Sequence, residues 1–330
     1  MSKNEVVTFK ITDKNSTFFS FIKSEIKSLL GRSSTNFRNS NKLNIKLNKT
    51  LIKKINLKII KNKSFFISTG TGFFHINKGK LYKVFEKDYT FFGIASYQGK
   101  YFVACAGNRD QGCILSFDYK LGEIQNLKVE YRIDNQSLHA ITINKGFLYV
   151  VNSTWRHNLD EVIKFKIVNK SLQFIEKIMP KTRFPFYHCN QVYFKDKFIY
   201  VVYHNWTQKT KMPSQICRFD NKWNFLDIVD TKNVLADAHN FSIVKNKIFI
   251  ANSDNSEFLA GNKKIIFKNK FIKGFDQDIE NYYIGLNNKL SREKRKTTSS
   301  KICIFNKKNS KKVFLNLPKI GEVVEIKILR

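Results

Sequence analysis

The stretch HAITINKGFLYVVNS at 139–153 returns one hundred residues later as HNFSIVKNKIFIANS at 239–253. Aligned without gaps, the two pair His139 with His239, Ile143 with Ile243, and Asn152-Ser153 with Asn252-Ser253. A recurring segment implies a recurring structural unit, and the spacing decides which architectures can hold it. The template appears again as FGIASYQGKYFVACAGN (92–108), NQVYFKDKFIYVVYHN (190–205) and KGFDQDIENYYIGLN (273–287), and more weakly as NLKIIKNKSFFISTG (56–70). Six units therefore begin near Asn56, Phe92, His139, Asn190, His239 and Lys273.

Each unit continues alike. A polar loop follows the second apolar run, then a third run ending in Phe (ILSFD, VIKFK, QICRFD, KIIFK, KICIFN), then a fourth such as SLQFIEKI. Period-2 alternation with β-branched and aromatic residues marks these runs as strands. Four short strands per unit at this spacing predict an all-β fold, a six-bladed β-propeller over residues 46–330. Helical periodicity, which an α/β fold would need between the strands, is absent there. The ending EVVEIKILR reads as a strand that completes a blade next to the N-terminal one and closes the ring, removing free sheet edges. Residues 1–45 form an extension. In it STFFSFIKSEIKSLLG (16–31) has the pattern of a short amphipathic helix packed on the propeller, followed by a linker at 32–44.

In a four-stranded blade the innermost strand starts on the face where the second strand ends. That geometry sends His139, His239, Asn190, Lys273, Phe92 and Asn56 to one channel mouth, with His188 just before Asn190. The loops leaving the second strands bring His75, Arg109, Trp155, His157, His204 and Trp206 to the same rim, so all six histidines are expected there. Imidazole serves as general acid or base near neutral pH, or as a neutral metal ligand. His139, His188 and His239 are the expected catalytic groups, and the same three can hold a divalent metal with an open position. No carboxylate is expected at the ring position, which argues against a calcium-type site. Asp237 is placed to orient His239. Asn190, Lys273, Arg292, Arg109, Asn252 and Asp254 are expected to contact ligand, with Trp155 and Trp206 offering flat faces to a sugar ring.

Composition narrows the partners. The formal net charge is +33, carried by 49 Lys and only 10 Arg. Lysine excess of this kind accompanies an Asn-, Ile- and Phe-rich composition, and base or phosphate readers favour the bidentate guanidinium. Specific nucleic-acid binding is therefore not expected, while a small anionic or glycan ligand is; a protein partner also suits a propeller rim. The five cysteines lie scattered without a CxxC pair, the pattern of a reducing interior. With no apolar leader and no run of 18 apolar residues, the chain reads as a soluble cytoplasmic protein without a transmembrane segment.

The segments YHCN (187–190), AHNFSIVKNKIFIANSDNSEF (238–258) and KGFDQDIENYYIGLNNKLSRE (273–293) resemble a family of bacterial propeller proteins without an assigned activity. Its His-x-Asn, His, Arg-Gly, Val-Gly-Leu-Ser and Arg-Glu motifs fall on His188 and Asn190, His239, Lys273-Gly274, Ile284–Asn287 and Arg292-Glu293. Lys273 and Asn287 depart from the pattern, which weakens an anion clamp of the bidentate kind. The resemblance implies the fold and the position of the site. By fold analogy with propeller lyases and lactonases, it makes a lyase or hydrolase acting on an anionic or sugar-containing ligand the expectation, against a binding or scaffold module.

Overall fold

In a computed structural model of the chain, the residues described are 47–85, 89–106, 112–133, 138–154, 159–181, 188–205 and 212–329. The helix expected over 16–31 and its linker lie outside them. Among the described residues the strands make six antiparallel sheets, the blades. Blades 2 to 6 have four strands each in simple meander order, beginning with the innermost strands Thr90–Tyr97, Leu138–Asn144, Cys189–Lys195, Ala238–Val244 and Lys270–Gln277.

Blade 1 is assembled from both ends of the described chain. Its innermost strand is Val323–Ile328, paired antiparallel with Ser64–Thr69, as the closing-strand expectation required. A fifth strand, Leu47–Lys54, lines the outer edge against Lys80–Phe85. That strand is exposed and lysine-rich, which discourages pairing with another chain at the edge. The innermost strands touch one another in cyclic order, and the strand from the C-terminal end meets that of blade 2. The unit near Asn56 is therefore corrected: residues 58–60 form one 3-10 turn, and the strand that follows is second in its blade. Closure explains the difference, because the innermost place in blade 1 is already taken by the other end of the chain.

The core is divided among the blade interfaces. One apolar cluster lies between each neighbouring pair of blades, six in all. Between blades 1 and 2, Phe66 packs edge-on against Tyr101 and Phe117, with centroids 5.2 and 5.3 Å apart. Each aromatic ring removed from water in this way stabilises the fold by about 1.5–3 kcal/mol. Polar side chains also stitch neighbouring blades together across their seams. Thr142 Oγ1 donates to Val192 O (2.6 Å), Tyr193 OH to Ile243 O (3.0 Å), and Ser68 Oγ to Phe92 O (2.6 Å). All five cysteines are buried and unpaired.

One irregularity recurs in every blade. Each innermost strand slips register with the second strand near its start, at Phe92-Gly93, His139-Ala140, Asn190, Asn240-Phe241, Lys273-Gly274 and Val324. A β-bulge of this kind bends the strand and re-aims side chains. Here it turns the channel-mouth positions of all six blades inward. The crowding leaves no room for a side chain at some positions: a Cβ on Gly285 would collide with Lys273 O. Gly274 adopts φ +76°, which suits a residue without a Cβ.

Candidate functional site at the channel mouth

The bulges create a cavity at the axis, lined by Phe92, His139, Asn190, His239, Lys273 and Glu325, among others. Around it runs an arc of rings in edge-to-face or tilted contact. Phe92 meets His139 at 5.0 Å, His139 meets His188 at 5.3 Å, and His188 meets His204 at 5.0 Å. His204 then meets His239 at 4.5 Å and His239 meets Phe271 at 5.7 Å, both measured between ring centroids. Blades 2 through 6 each contribute to this arc. The three histidines singled out in the sequence share the site, and His204, at the end of the second strand of blade 4, is the link between them.

Each histidine is fixed by partners the fold supplies. The His188 loop is held by Asp160, whose carboxylate accepts the backbone N–H of His188 (2.8 Å) and of Cys189 (2.7 Å) together with the Ser153 hydroxyl (2.5 Å). Burial nevertheless outweighs these bonds and holds the Asp160 carboxyl above the usual carboxylate range. The His239 ring bonds the Asp237 carbonyl and Ser253 Oγ, both at 2.8 Å from Nδ1. Burial, then neighbouring His188 and Lys273, push the His139 imidazole well below its ordinary value. Burial, then Lys273 and His204, do the same to His239. Both rings are therefore neutral near pH 7, fit to donate, accept or ligate but weak as proton acceptors.

The strand that closes the ring puts Val324 at its bulge and Glu325 one residue further along, where Glu325 also lines the cavity. Asn240 Nδ2 donates to Glu325 Oε2 (2.7 Å), while Asn240 Oδ1 accepts the Gly274 N–H (2.6 Å). Part of the Glu325 side chain faces the lumen, yet it lies deep in the body. Desolvation, then the charge of Asp276, push its carboxyl up to about 8. It is a protonated acid at neutral pH.

Cations complete the mouth. Lys273 lies 3.9 Å from Glu322 Oε1, and Arg295 Nη1 lies 3.7 Å from Glu322 Oε2. The Arg295 guanidinium also covers the Phe271 ring at 4.4 Å. Arg295 belongs to a single helical turn, Arg292–Arg295, in the long loop of blade 6. Arg295 and Glu322 were missed in the sequence because loop conformation, not strand periodicity, brings them to the rim. The side chain of Arg292 is outside the described residues, as are Arg109, Trp155, His157 and Trp206.

Other expected contacts are placed elsewhere. Asn252 is fully buried, and its amide holds the segment before blade 5 by accepting the Ala236 N–H (2.7 Å) and donating to Val234 O (3.1 Å). The Asp254 backbone N–H closes the same segment through Ala236 O (3.1 Å). His75 does not reach the rim. It sits in the third strand of blade 1 (Phe73–Asn77), towards the opposite face, 2.9 Å from Ser64 Oγ and 3.2 Å from Tyr119 OH. The second and third strands of blade 1 are joined by residues 70–72 alone, so His75 falls inside the third strand instead of in a rim loop.

No protein-family model matches the chain, and neither does any curated protein sequence. Solved structures share its fold. A protein from Lactobacillus plantarum aligns over 81% of this chain and 99% of its own, with TM-score 0.50 and 12% identity. A putative 6-phosphogluconolactonase from Bacteroides uniformis aligns over 78% and 82%, with TM-score 0.49 and 11% identity. The periplasmic gluconolactonase of Pseudomonas aeruginosa aligns over 81% and 99%, with TM-score 0.47 and 10% identity. At these identities the likeness is one of fold. No helix among the described residues is long and apolar enough to cross a membrane.

Proposed function

We propose that the protein binds a small anionic ligand of the sugar-acid class at the channel mouth and acts on it as a hydrolase. The observation that carries this reading is the pairing of opposite capacities around one cavity: Lys273 as fixed cation, and Glu325 as a proton donor at neutral pH. A cation at the mouth neutralises the charge of a carboxylate or phosphate, and a protonated carboxyl beneath it can protonate a leaving oxygen. His139, held neutral, would orient the ligand by hydrogen bonds instead of shuttling protons. Arg295 would extend the positive rim to a longer ligand.

The test is an assay of the full chain on carboxylated and phosphorylated sugar lactones and esters, comparing wild type with Lys273→Met and Glu325→Gln. Lys273→Met should raise KM by roughly 10–100-fold, the loss of one charge-assisted contact. Glu325→Gln should lower kcat by about 10²–10⁴-fold while KM changes little. Absence of turnover across such a panel would remove the hydrolase reading.

One observation favours a second reading, a binding module without chemistry. The two imidazoles at the mouth are too weakly basic to take protons at neutral pH. In that case Lys273→Met would weaken sugar-acid binding in a direct titration, while Glu325→Gln would not.

A further inference from the structure

His204, Asp237 and His239 are each more than nine-tenths buried, with exposures of 3%, 3% and 6%. Asp237 Oδ1 lies 3.2 Å from His204 Nδ1 and 3.8 Å from His239 Nε2. One ligand-capable atom from each of the three residues falls within 4.8 Å of the others.

The carbonyls beside the far nitrogens favour one tautomer of each ring. His204 Nε2 stands 2.8 Å from Ala238 O, a separation that two acceptors do not adopt, so Nε2 carries hydrogen. Asn190 Nδ2, 2.8 Å from the same nitrogen, then donates to Ala238 O at 3.2 Å. His239 Nδ1 stands 2.8 Å from Asp237 O and 2.8 Å from Ser253 Oγ. The Ser253 hydroxyl hydrogen goes to Ile272 O (2.5 Å), so both neighbours of Nδ1 accept and Nδ1 carries the proton. In the neutral rings the nitrogens turned towards Asp237 therefore present lone pairs to a carboxylate.

The two spacings to Asp237 Oδ1, 3.2 and 3.8 Å, lie near the edge of about 3.3–3.6 Å in a tetrahedron whose centre is about 2.0–2.2 Å from each ligand. Imidazoles that donate their far N–H to a carbonyl have the outer contacts usual for ligating histidines. The fold holds the arrangement rigidly: Asp237 takes φ +52°, and Asn252 pins residues 234–236 from behind. We infer that His204, Asp237 and His239 form a site for one divalent first-row metal ion of the zinc type. The site shares only His239 with the trio expected from the sequence, and it does not depend on which ligand the mouth accepts.

The test uses the untagged full chain, stripped with a chelator and reloaded with Zn²⁺ or Co²⁺ alone. The expected result is one equivalent bound per chain, a Co²⁺ absorption spectrum of tetrahedral type, and a higher Tm for the Zn²⁺ form. Asp237→Asn and His204→Gln should each weaken Zn²⁺ by about 100-fold or more, whereas His139→Gln should leave it unchanged. The wild-type measurement stands even if a variant folds poorly. The inference is overturned if the wild type binds neither ion stoichiometrically and ¹⁵N shifts show His204 doubly protonated at neutral pH, a proton taking the place of the metal. It is equally overturned if binding survives Asp237→Asn but is lost in His139→Gln.

Discussion

His204 and His239 belong to different blades, yet their rings meet edge-to-face with centroids 4.5 Å apart. Neither neighbourhood follows from sequence distance. It follows from a closed ring in which the second strand of one blade ends beside the innermost strand of the next. From this arrangement four consequences can be measured.

The Glu325 carboxyl makes stability depend on pH. Its value is raised from the ordinary 4.5 to about 8 on folding, so the folded state holds the proton more tightly than the unfolded chain. The stability it contributes is fully present below about 4.5 and is lost as pH rises through about 8. Denaturant titrations across that window should show wild-type stability falling relative to Glu325→Gln, which has no charge to bury. A parallel pH profile for the two proteins would contradict the assignment.

Asp160 is a positioning residue for His188. Removing its carboxylate in Asp160→Ala strands the backbone N–H of His188 and Cys189, at a cost of roughly 1–3 kcal/mol each. Asp160→Asn, which keeps one acceptor oxygen, should lose less than the alanine variant. Urea midpoints of the two variants give the comparison.

Crowding at the axis predicts that Gly285→Ala is costly despite its small size. The added methyl would meet Lys273 O and Val323 Cγ1, so the inner strands must separate, at a cost of roughly 3 kcal/mol. The Tm should fall markedly, and more than for Gly70→Ala, where the added Cβ would make only an ordinary contact with Glu322 Cγ at 3.7 Å.

Ending the chain at residue 322 removes the innermost strand of blade 1 and leaves Ser64–Thr69 with a bare edge. The truncated chain should elute as an expanded or associated species in gel filtration, since an exposed edge recruits further pairing. A compact monomer with wild-type Tm would refute strand closure.

The architecture was legible because strand alternation and the 139/239 repeat survive in the sequence, and each repeat carries its own interface cluster. The closing strand was legible too, but its consequence was not. With blade 1 registered on Asn56, Glu325 is not recognised as a cavity residue, because it comes from the far end of the chain; His75 is misplaced because the short connection at 70–72 leaves no loop to hold it. His204 was read as one loop histidine among several, since nothing in the local pattern tells that a bulge will press its ring against His239. Arg295 and Glu322 were invisible for a related reason: neither lies on a periodic strand position. Asn252 looked like a ligand contact because the repeat preserves it, whereas the structure uses its amide to hold Asp237's segment in place.

The central claim is that four histidines spread over one hundred residues of chain form one continuous arc, and nuclear Overhauser contacts between labelled imidazoles test it most directly. In protein carrying ¹³C,¹⁵N-histidine, cross-peaks should link the rings of His139 to His188, His188 to His204 and His204 to His239, with assignments made by single His→Gln variants. His75 should show none to these rings. Loss of the His204–His239 cross-peak, or a cross-peak joining His75 to the arc, would contradict the account.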